Sequence, residues 1–162
     1  MVAEYIAYSL LSQSHVDPDI KRALDSFDFY IFPVVNPDGQ SPSVSPPISA
    51  NKLEGFVYTQ TKRRMWRKNR QTEKGASCVG RDLNRNWGIH WGQNGGASSS
   101  PCHGTYRGQK SFDAPETRAL AMELGGIKKR QGIRLFIDWH AFGQLVLHRE
   151  SVLPPSCPLS QF

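Results

Sequence analysis

The chain has 162 residues, enough for one domain with a sizeable core, and is 38% hydrophobic, 10% aromatic and 21% charged. No stretch approaches the ~20 continuous apolar residues of a membrane span, and Met1 runs into VAEYIAYSLLSQ without the basic start or cleavage site of a secretory leader. The net charge of +6 sits in residues 62–70, KRRMWRKNR, which hold six basic side chains and no acidic one. That favours a local anion site, or a local nucleic-acid patch, over a generally basic protein.

Taken in chain order, the first dozen residues predict a helix, apolar on most faces (Tyr5, Ile6, Ala7, Tyr8, Leu10, Leu11) and therefore buried. VDPDIKRALDSF predicts a second helix, with Asp17 as N-cap, Pro18 in its first position and Ile20, Ala23, Leu24 and Phe27 on one face. DFYIFPVVN is a continuous apolar run that suits a strand covered on both faces, and Asn36-Pro37-Asp38-Gly39 ends it with turn chemistry. Residues 40–55, QSPSVSPPISANKLEG, are rich in Pro and Ser without periodicity, as in a linker or insertion. FVYTQT resumes strand-like alternation, and residues 88–108 form a long loop rich in Gly and Ser. APETRALAMELGG predicts a helix from Pro115 to the Gly125-Gly126 pair. GIRLFIDWHAFGQLVL then predicts a buried strand running into a polar turn at His140.

Alternating strands and helices argue for an α/β sandwich with a largely parallel sheet, whose ligands gather beyond the carboxyl ends of the strands. NPDG and DWHAFG both fall at such ends. Cys78 and Cys102 flank the loop rich in Gly, Ser and Asn, which a disulfide would pin, whereas Cys157 sits unpaired in a tail rich in proline. Three stretches hold most of the polar chemistry. His140 is either a satisfied structural histidine or a ligand. The basic run is either a solvated face, with Trp66 as its anchor, or a binding surface. GRDLNRNWG, with Asp82, Asn84, Arg85 and Asn86, either knits a turn or holds a partner.

Together these stretches resemble the zinc metallocarboxypeptidases of the pancreatic carboxypeptidase A/B type, in a fungal-like form. VVNPDG, FVYTQTKRRMWRKNR, CVGRDLNRNWG, GASSSPCHGTYRG, SFDAPETRAL and FIDWHAFGQL occur in family order and cover most of residues 1–145 except 40–55. The resemblance implies a carboxypeptidase-like three-layer α/β/α sandwich, present in part, with a mixed, largely parallel sheet. It implies the release of C-terminal amino acids from peptides or proteins, with Zn2+ as cofactor. Asn84 and Arg85 would grip the terminal carboxylate, a guanidinium fork beside an amide donor being suited to that planar anion. Arg67 would both bind substrate and stabilise the oxyanion that develops on the scissile carbonyl. His140 corresponds to the second histidine ligand of the metal, and Cys78–Cys102 to the family disulfide. Arg63, Arg64, Lys68 and Arg70 receive no role and are expected as surface charge. The family further implies an extracellular monomer with no membrane partner, and it accounts for the basic run without nucleic acid.

The sequence also departs from the family pattern. No H-x-x-E motif, which supplies the first two zinc ligands, occurs in the 162 residues, and the segment that carries the general-base glutamate has no counterpart after FGQL. One ligand of three remains. The expectation is therefore a truncated or mis-predicted member, impaired or inactive in hydrolysis, with residues 1–145 as an incomplete catalytic domain. Residues 40–55 are expected to be an insert or retained intron, and residues 146–162 a tail foreign to the family. The alternative is a pseudoenzyme that binds peptide C-termini without cleaving them.

Overall fold

The computed structural model describes residues 2–36, 58–59, 61–93, 95–140 and 145–148, the last four by backbone alone. The expected turn at 37–39, the insert at 40–55, the turn at 141–144 and most of the expected tail (149–162) lie outside them. The chain divides into two compact units, Met1–Val35 with Ile137–Leu147, and Asn36–Phe136 with His148–Phe162.

In the first unit, α1 (Val2–Gln13) and α2 (Pro18–Ser26) form where the sequence places them. Asp17 caps α2: its carboxylate accepts from the backbone N–H of Asp19 at 2.8 Å and of Ile20 at 3.3 Å, and Pro18, which has no N–H to satisfy, takes the first turn. The expected burial of α1 is not observed. Tyr5, Tyr8 and Leu11 are exposed, and neither helix buries a side chain. Nor does DFYIFPVVN form a strand. Residues 28–36 take part in no ladder and bend at Pro33 and Val35, and Phe29, Tyr30, Phe32, Val34 and Val35 are exposed. An apolar run becomes a central strand only when strands flank it and layers cover it, and the described residues of this unit supply two helices and one strand pair. That pair is β1 (Ile137–His140) with β2 (Leu145–His148). β1 confirms the strand expected there only over its last four residues, His140 included and residues 132–136 having no strand geometry, and it does not confirm burial, since Leu135, Phe136 and Trp139 are exposed.

The second unit is held by polar contacts more than by apolar ones. Among its described residues the buried apolar side chains are Leu83, Tyr106, Ala114 and Ile127, against buried Thr59, Lys68, Asn69, Arg81, Asp82, Asn86 and Thr117. FVYTQT does not resume a strand in its described part. Tyr58, Thr59 and Thr61 are helical, with the Tyr58 carbonyl accepting from Lys62 N at 2.8 Å. Tyr58 then packs edge-on against Trp66 and beneath the Arg70 guanidinium. Residues 69–71 pair with 80–81: Asn69 N donates to the Arg81 carbonyl at 3.0 Å and Gly80 N to the Gln71 carbonyl at 2.9 Å. Helix α3 (Pro115–Gln131) runs past the Gly125-Gly126 pair, where the sequence predicts its end, and stops at Gly132 with φ 78°. Two glycines cost it about 1 kcal/mol each relative to alanine. Burial of Ile127, and Lys128, Lys129 and Arg130 in the last turn against the helix dipole, offset that cost. The disulfide joins Cys78 to Cys102 across 24 residues. In the loop-closure model a ring of this size stabilises by about 3–4 kcal/mol.

Gly80 shows how tightly the second unit is drawn together. Its φ is +86°, and a Cβ there would lie 2.1 Å from the Asn69 carbonyl oxygen. Gly75 shares the left-handed backbone, φ +81°, but a Cβ there would meet nothing within 4 Å. Gly75→Ala is therefore expected to cost about 1 kcal/mol, the conformational penalty alone. Gly80→Ala should cost about 3 kcal/mol or more. Denaturant unfolding of both variants checks the difference, which vanishes if the close approach to Asn69 is not present in solution.

Candidate functional site

The stretch GRDLNRNWG folds as a single 3₁₀ turn, Leu83–Arg85, capped by Asp82. Aspartate is a strong cap because its short carboxylate reaches the free N–H groups of the first turn. Here Oδ1 of Asp82 accepts from Asn84 N at 3.1 Å, while its backbone N donates to the Tyr106 carbonyl at 2.8 Å. Oδ2 faces the other way and receives Arg67 Nε at 2.8 Å. The carboxylate is 3% exposed and the arginine 42% exposed. One buried anion thus fixes both the turn bearing Asn84 and Arg85 and the base of the Arg67 guanidinium, whose far edge stays open to solvent. Asn36 adds a bond from Nδ2 to the Arg67 carbonyl at 3.2 Å.

Side chains in the turn divide by direction. Asn84 is exposed and Arg85 half-buried. Arg85 donates from Nε to the Gly96 carbonyl at 2.7 Å and from Nη1 to the Asn84 carbonyl at 3.1 Å. Those two bonds leave three of the five N–H groups of its fork. Asn86, by contrast, is fully buried. Its Nδ2 lies within bonding distance of the Arg107 and Lys110 carbonyls and of Asp113 Oδ1 (2.8, 3.2 and 2.7 Å), and its Oδ1 accepts from Ala114 N and the Thr117 hydroxyl (3.0 and 2.7 Å). The two readings of this stretch are therefore divided between residues: Asp82 and Asn86 knit the turn, and Asn84 and Arg85 face outward.

Behind the turn lies a buried ionic cluster. Arg81, 6% exposed, pairs with Glu73 at 3.0 Å and with Asp113 at 2.9 Å. Glu73 also accepts from the Tyr106 hydroxyl at 3.0 Å and from Gln109 Nε2 at 2.6 Å. Burial, and next the bond to Glu73, push the Tyr106 hydroxyl above the ordinary tyrosine pKa.

The basic run differs from its expectation as surface charge. Arg63 and Arg64 are exposed, as expected. Lys68 is buried, with its ammonium donating to the Pro101 carbonyl at 2.6 Å, and Arg70 is half-buried with its guanidinium 4.0 Å from the Tyr58 ring centroid. The rings of Tyr58, Trp66 and Tyr106 give these cations π-faces to lie over, a signal present in the sequence as aromatic residues interleaved with the charges. Desolvation lowers the Lys68 pKa below the usual lysine value; Arg63 and Arg70 push it the same way and Asp82 opposes them.

His140 belongs to the first unit and ends β1. Its Nε2 lies 2.8 Å from Asp138 Oδ2, leaving Nδ1 as the other ring donor atom. Among the described residues no group of three or more His, Cys, Asp or Glu side chains comes together to hold a metal ion. A catalytic zinc takes three protein ligands, so the described donor set does not fit one. No helix among the described residues is long and apolar enough to cross a membrane.

Comparison with known proteins decides the family. The zinc carboxypeptidase family profile matches residues 1–152. This chain belongs to the zinc carboxypeptidase family. It is 44% identical over 147 residues to metallocarboxypeptidase A of Trichophyton tonsurans, covering 91% of this chain and 31% of that protein. A zinc carboxypeptidase of Simulium vittatum is 37% identical over 143 residues, 88% of this chain and 40% of its own length. Among solved structures, thrombin-activatable fibrinolysis inhibitor superposes with a TM-score of 0.68 at 34% identity, over 85% of this chain and 30% of its own. The bovine form of that protein, in complex with tick carboxypeptidase inhibitor, gives 0.58 at 36% identity, over 78% and 36%. These likenesses make the fold α/β. The chain spans about a third of the fungal relatives it matches.

The sequence names Asp82 and Asn86 as candidates to knit the turn, but not which partners each would hold. The signal for Asp82 was its place directly before a short L-N-R turn. Asn86 offered none, because its five partners are 21 to 31 residues away in sequence.

Asn86→Ala removes both ends of an amide and strips a bond from each of its five partners, although the Arg107 carbonyl keeps Trp91 Nε1 and the Thr117 hydroxyl keeps the Ala114 carbonyl. At about 1–3 kcal/mol for each buried group that finds no water, the loss should reach at least about 3 kcal/mol. Asn86→Asp instead sets a second carboxylate against Asp113, which raises the pKa of the pair in the folded state. A raised carboxylate pKa weakens folding as pH climbs past the unfolded value. The stability gap between Asn86→Asp and the natural chain should therefore be widest at pH 7 and narrow towards pH 4. Paired urea titrations at the two pH values check the sign.

Proposed function

We propose that this chain carries the carboxylate-gripping part of a secreted zinc carboxypeptidase. On its own it would bind peptide C-termini, with hydrolysis impaired or absent. The observation that carries this reading is the Asp82 carboxylate, which orients Arg67 with one oxygen and the Asn84–Arg85 turn with the other. A peptide's terminal carboxylate is planar and anionic. The remaining N–H groups of Arg85 and the amide of Asn84 would supply its fork and side donor. Arg67, held at Nε, would direct its free edge at the carbonyl of the last peptide bond, where negative charge develops during hydrolysis. His140, with Asp138 on one nitrogen, would serve as a metal ligand through the other. The three-layer sandwich with a largely parallel sheet belongs to the same reading, supported by the superposition on a carboxypeptidase-type structure. The Cys78–Cys102 bridge supports an oxidising, extracellular setting.

Binding without turnover rests on the sequence, in which no H-x-x-E motif offers the first two zinc ligands. Calorimetric titration with a blocked dipeptide ending in Phe or Lys separates the possibilities. The free-acid form should bind at least about tenfold more tightly than its C-terminal amide, given about 1.5–3 kcal/mol for a hydrogen bond to a charged group. Arg85→Leu should erase that preference. Added zinc should leave hydrolysis at the uncatalysed rate. Equal binding of acid and amide would defeat the gripping role, and zinc-dependent release of the last residue would defeat the impairment.

A further inference from the structure

Lys68 is a buried cation to which the reading above gives no role. Its ammonium donates to the Pro101 carbonyl at 2.6 Å and lies 5.5 Å from the Trp66 ring centroid and 5.9 Å from that of Tyr106. Trp66 comes from its own segment. Pro101 and Tyr106 come from the loop that Cys102 pins to Cys78. The same loop holds the gripping turn, because the Tyr106 carbonyl accepts from Asp82 N at 2.8 Å and the Gly96 carbonyl from Arg85 Nε at 2.7 Å. A circuit closes on itself: Lys68 to the loop, the loop to Asp82, and Asp82 to Arg67, the residue beside Lys68.

We propose that Lys68 is a positioning residue for Arg67. Its bond to the Pro101 carbonyl and its seat against the Trp66 and Tyr106 rings set the spacing between residues 66–70 and the loop that anchors Asp82. That spacing fixes the aim of the Arg67 guanidinium. The functional meaning rests on the gripping role proposed for Arg67, while the geometry belongs to the free chain. A side chain that merely filled space at this point would be replaceable by methionine, which is similar in length. Methionine has no donor, however, and would leave the Pro101 carbonyl unpaired. Arginine keeps the charge but replaces a compact ammonium by a planar fork. Four titratable groups face the ammonium: Arg63 and Arg70 from its own segment, Asp82 from the turn and Tyr106 from the loop. Deprotonation of Lys68 weakens the carbonyl bond and the ring contacts together, so it should act on Arg67 as a mild form of the same substitution.

The test is nuclear magnetic resonance of uniformly 15N,13C-labelled protein without peptide, with the Arg67 and Lys68 signals assigned by their loss in Arg67→Lys and Lys68→Met. In Lys68→Met, Arg67 Hε should exchange with water at least tenfold faster, while the Asn86 side-chain amide signals keep their positions; Lys68→Arg should recover part of the protection. Arg67 exchange within twofold of the natural chain, with Asn86 undisturbed, overturns the proposal. The natural chain gives a second measurement that needs no variant. As pH rises, the Arg67 Cζ shift should move with the same midpoint as the Lys68 Cε shift, below the usual lysine value. An Arg67 signal indifferent to that titration overturns the proposal equally. Peptide titration keeps the two readings apart. A natural chain that ignores free-acid peptides sinks the gripping role and leaves the Arg67 measurements to decide Lys68. Binding that Lys68→Met weakens less than twofold sinks Lys68 alone.

Discussion

The second unit depends on satisfying one buried amide. Asn86 has no solvent contact, and its two N–H groups lie among three acceptors while its oxygen meets two donors. Those groups come from the loop at Arg107 and Lys110, from Asp113, and from the first turn of α3, so their convergence draws three segments around the 82–86 turn. A buried polar group without partners costs about 1–3 kcal/mol each time. The arrangement is therefore nearly all-or-none: a shift that breaks one bond exposes several groups to the same penalty. With few buried apolar side chains among the described residues of this unit, such a network specifies one conformation where an oily core would tolerate several.

Charge follows the same pattern of divided labour. Arg81 is surrounded by Glu73 and Asp113, and Asp113 is in turn bonded by Asn86, so the ionic cluster and the amide hub share a residue. A buried ion pair is weak evidence of stability by itself, because desolvation consumes much of the attraction. Its value here is geometric. Asp113 is held on both oxygens, and the loop from 107 to 113 cannot drift without unpairing a charge. Arg67 lies at the boundary, with one edge on buried Asp82 and the other in water. That is the condition in which a guanidinium is both oriented and available to an incoming anion.

Local chemistry was legible in the sequence, and long-range chemistry was not. The cap at Asp17, Pro18 in the first turn of α2 and the start of α3 at Pro115 are short-range features, and the structure contains them as read. The Cys78–Cys102 bridge was also foreseen, from the loop it closes and from the family pattern. The family itself was readable from six motifs, because motif order survives without knowledge of any contact. Burial was misjudged in both directions. Tyr5, Tyr8 and Phe29 are apolar and exposed, and Lys68 is charged and buried. An amino-acid pattern reports what a residue would gain by burial, not whether a neighbour is present to cover it. Lys68 became buriable because Trp66, Tyr106 and the Pro101 carbonyl meet around it, and two of those three lie more than thirty residues away. The glycine pair in α3 misled for a related reason: buried Ile127 lies just beyond it and draws the helix onward.

The bridge between Cys78 and Cys102 encloses the entire 82–86 turn and most of the exposed stretch that follows it. A protease that severed the backbone once near Gly95 or Gly96 would open a ring rather than divide a chain. The two new ends would stay covalently linked, and the amide hub, whose partners lie at 107–117, would remain in place behind the cut. Damage at this exposed point is in that sense separated from the anchoring of the turn. The fragments would part only under combined cleavage and reduction.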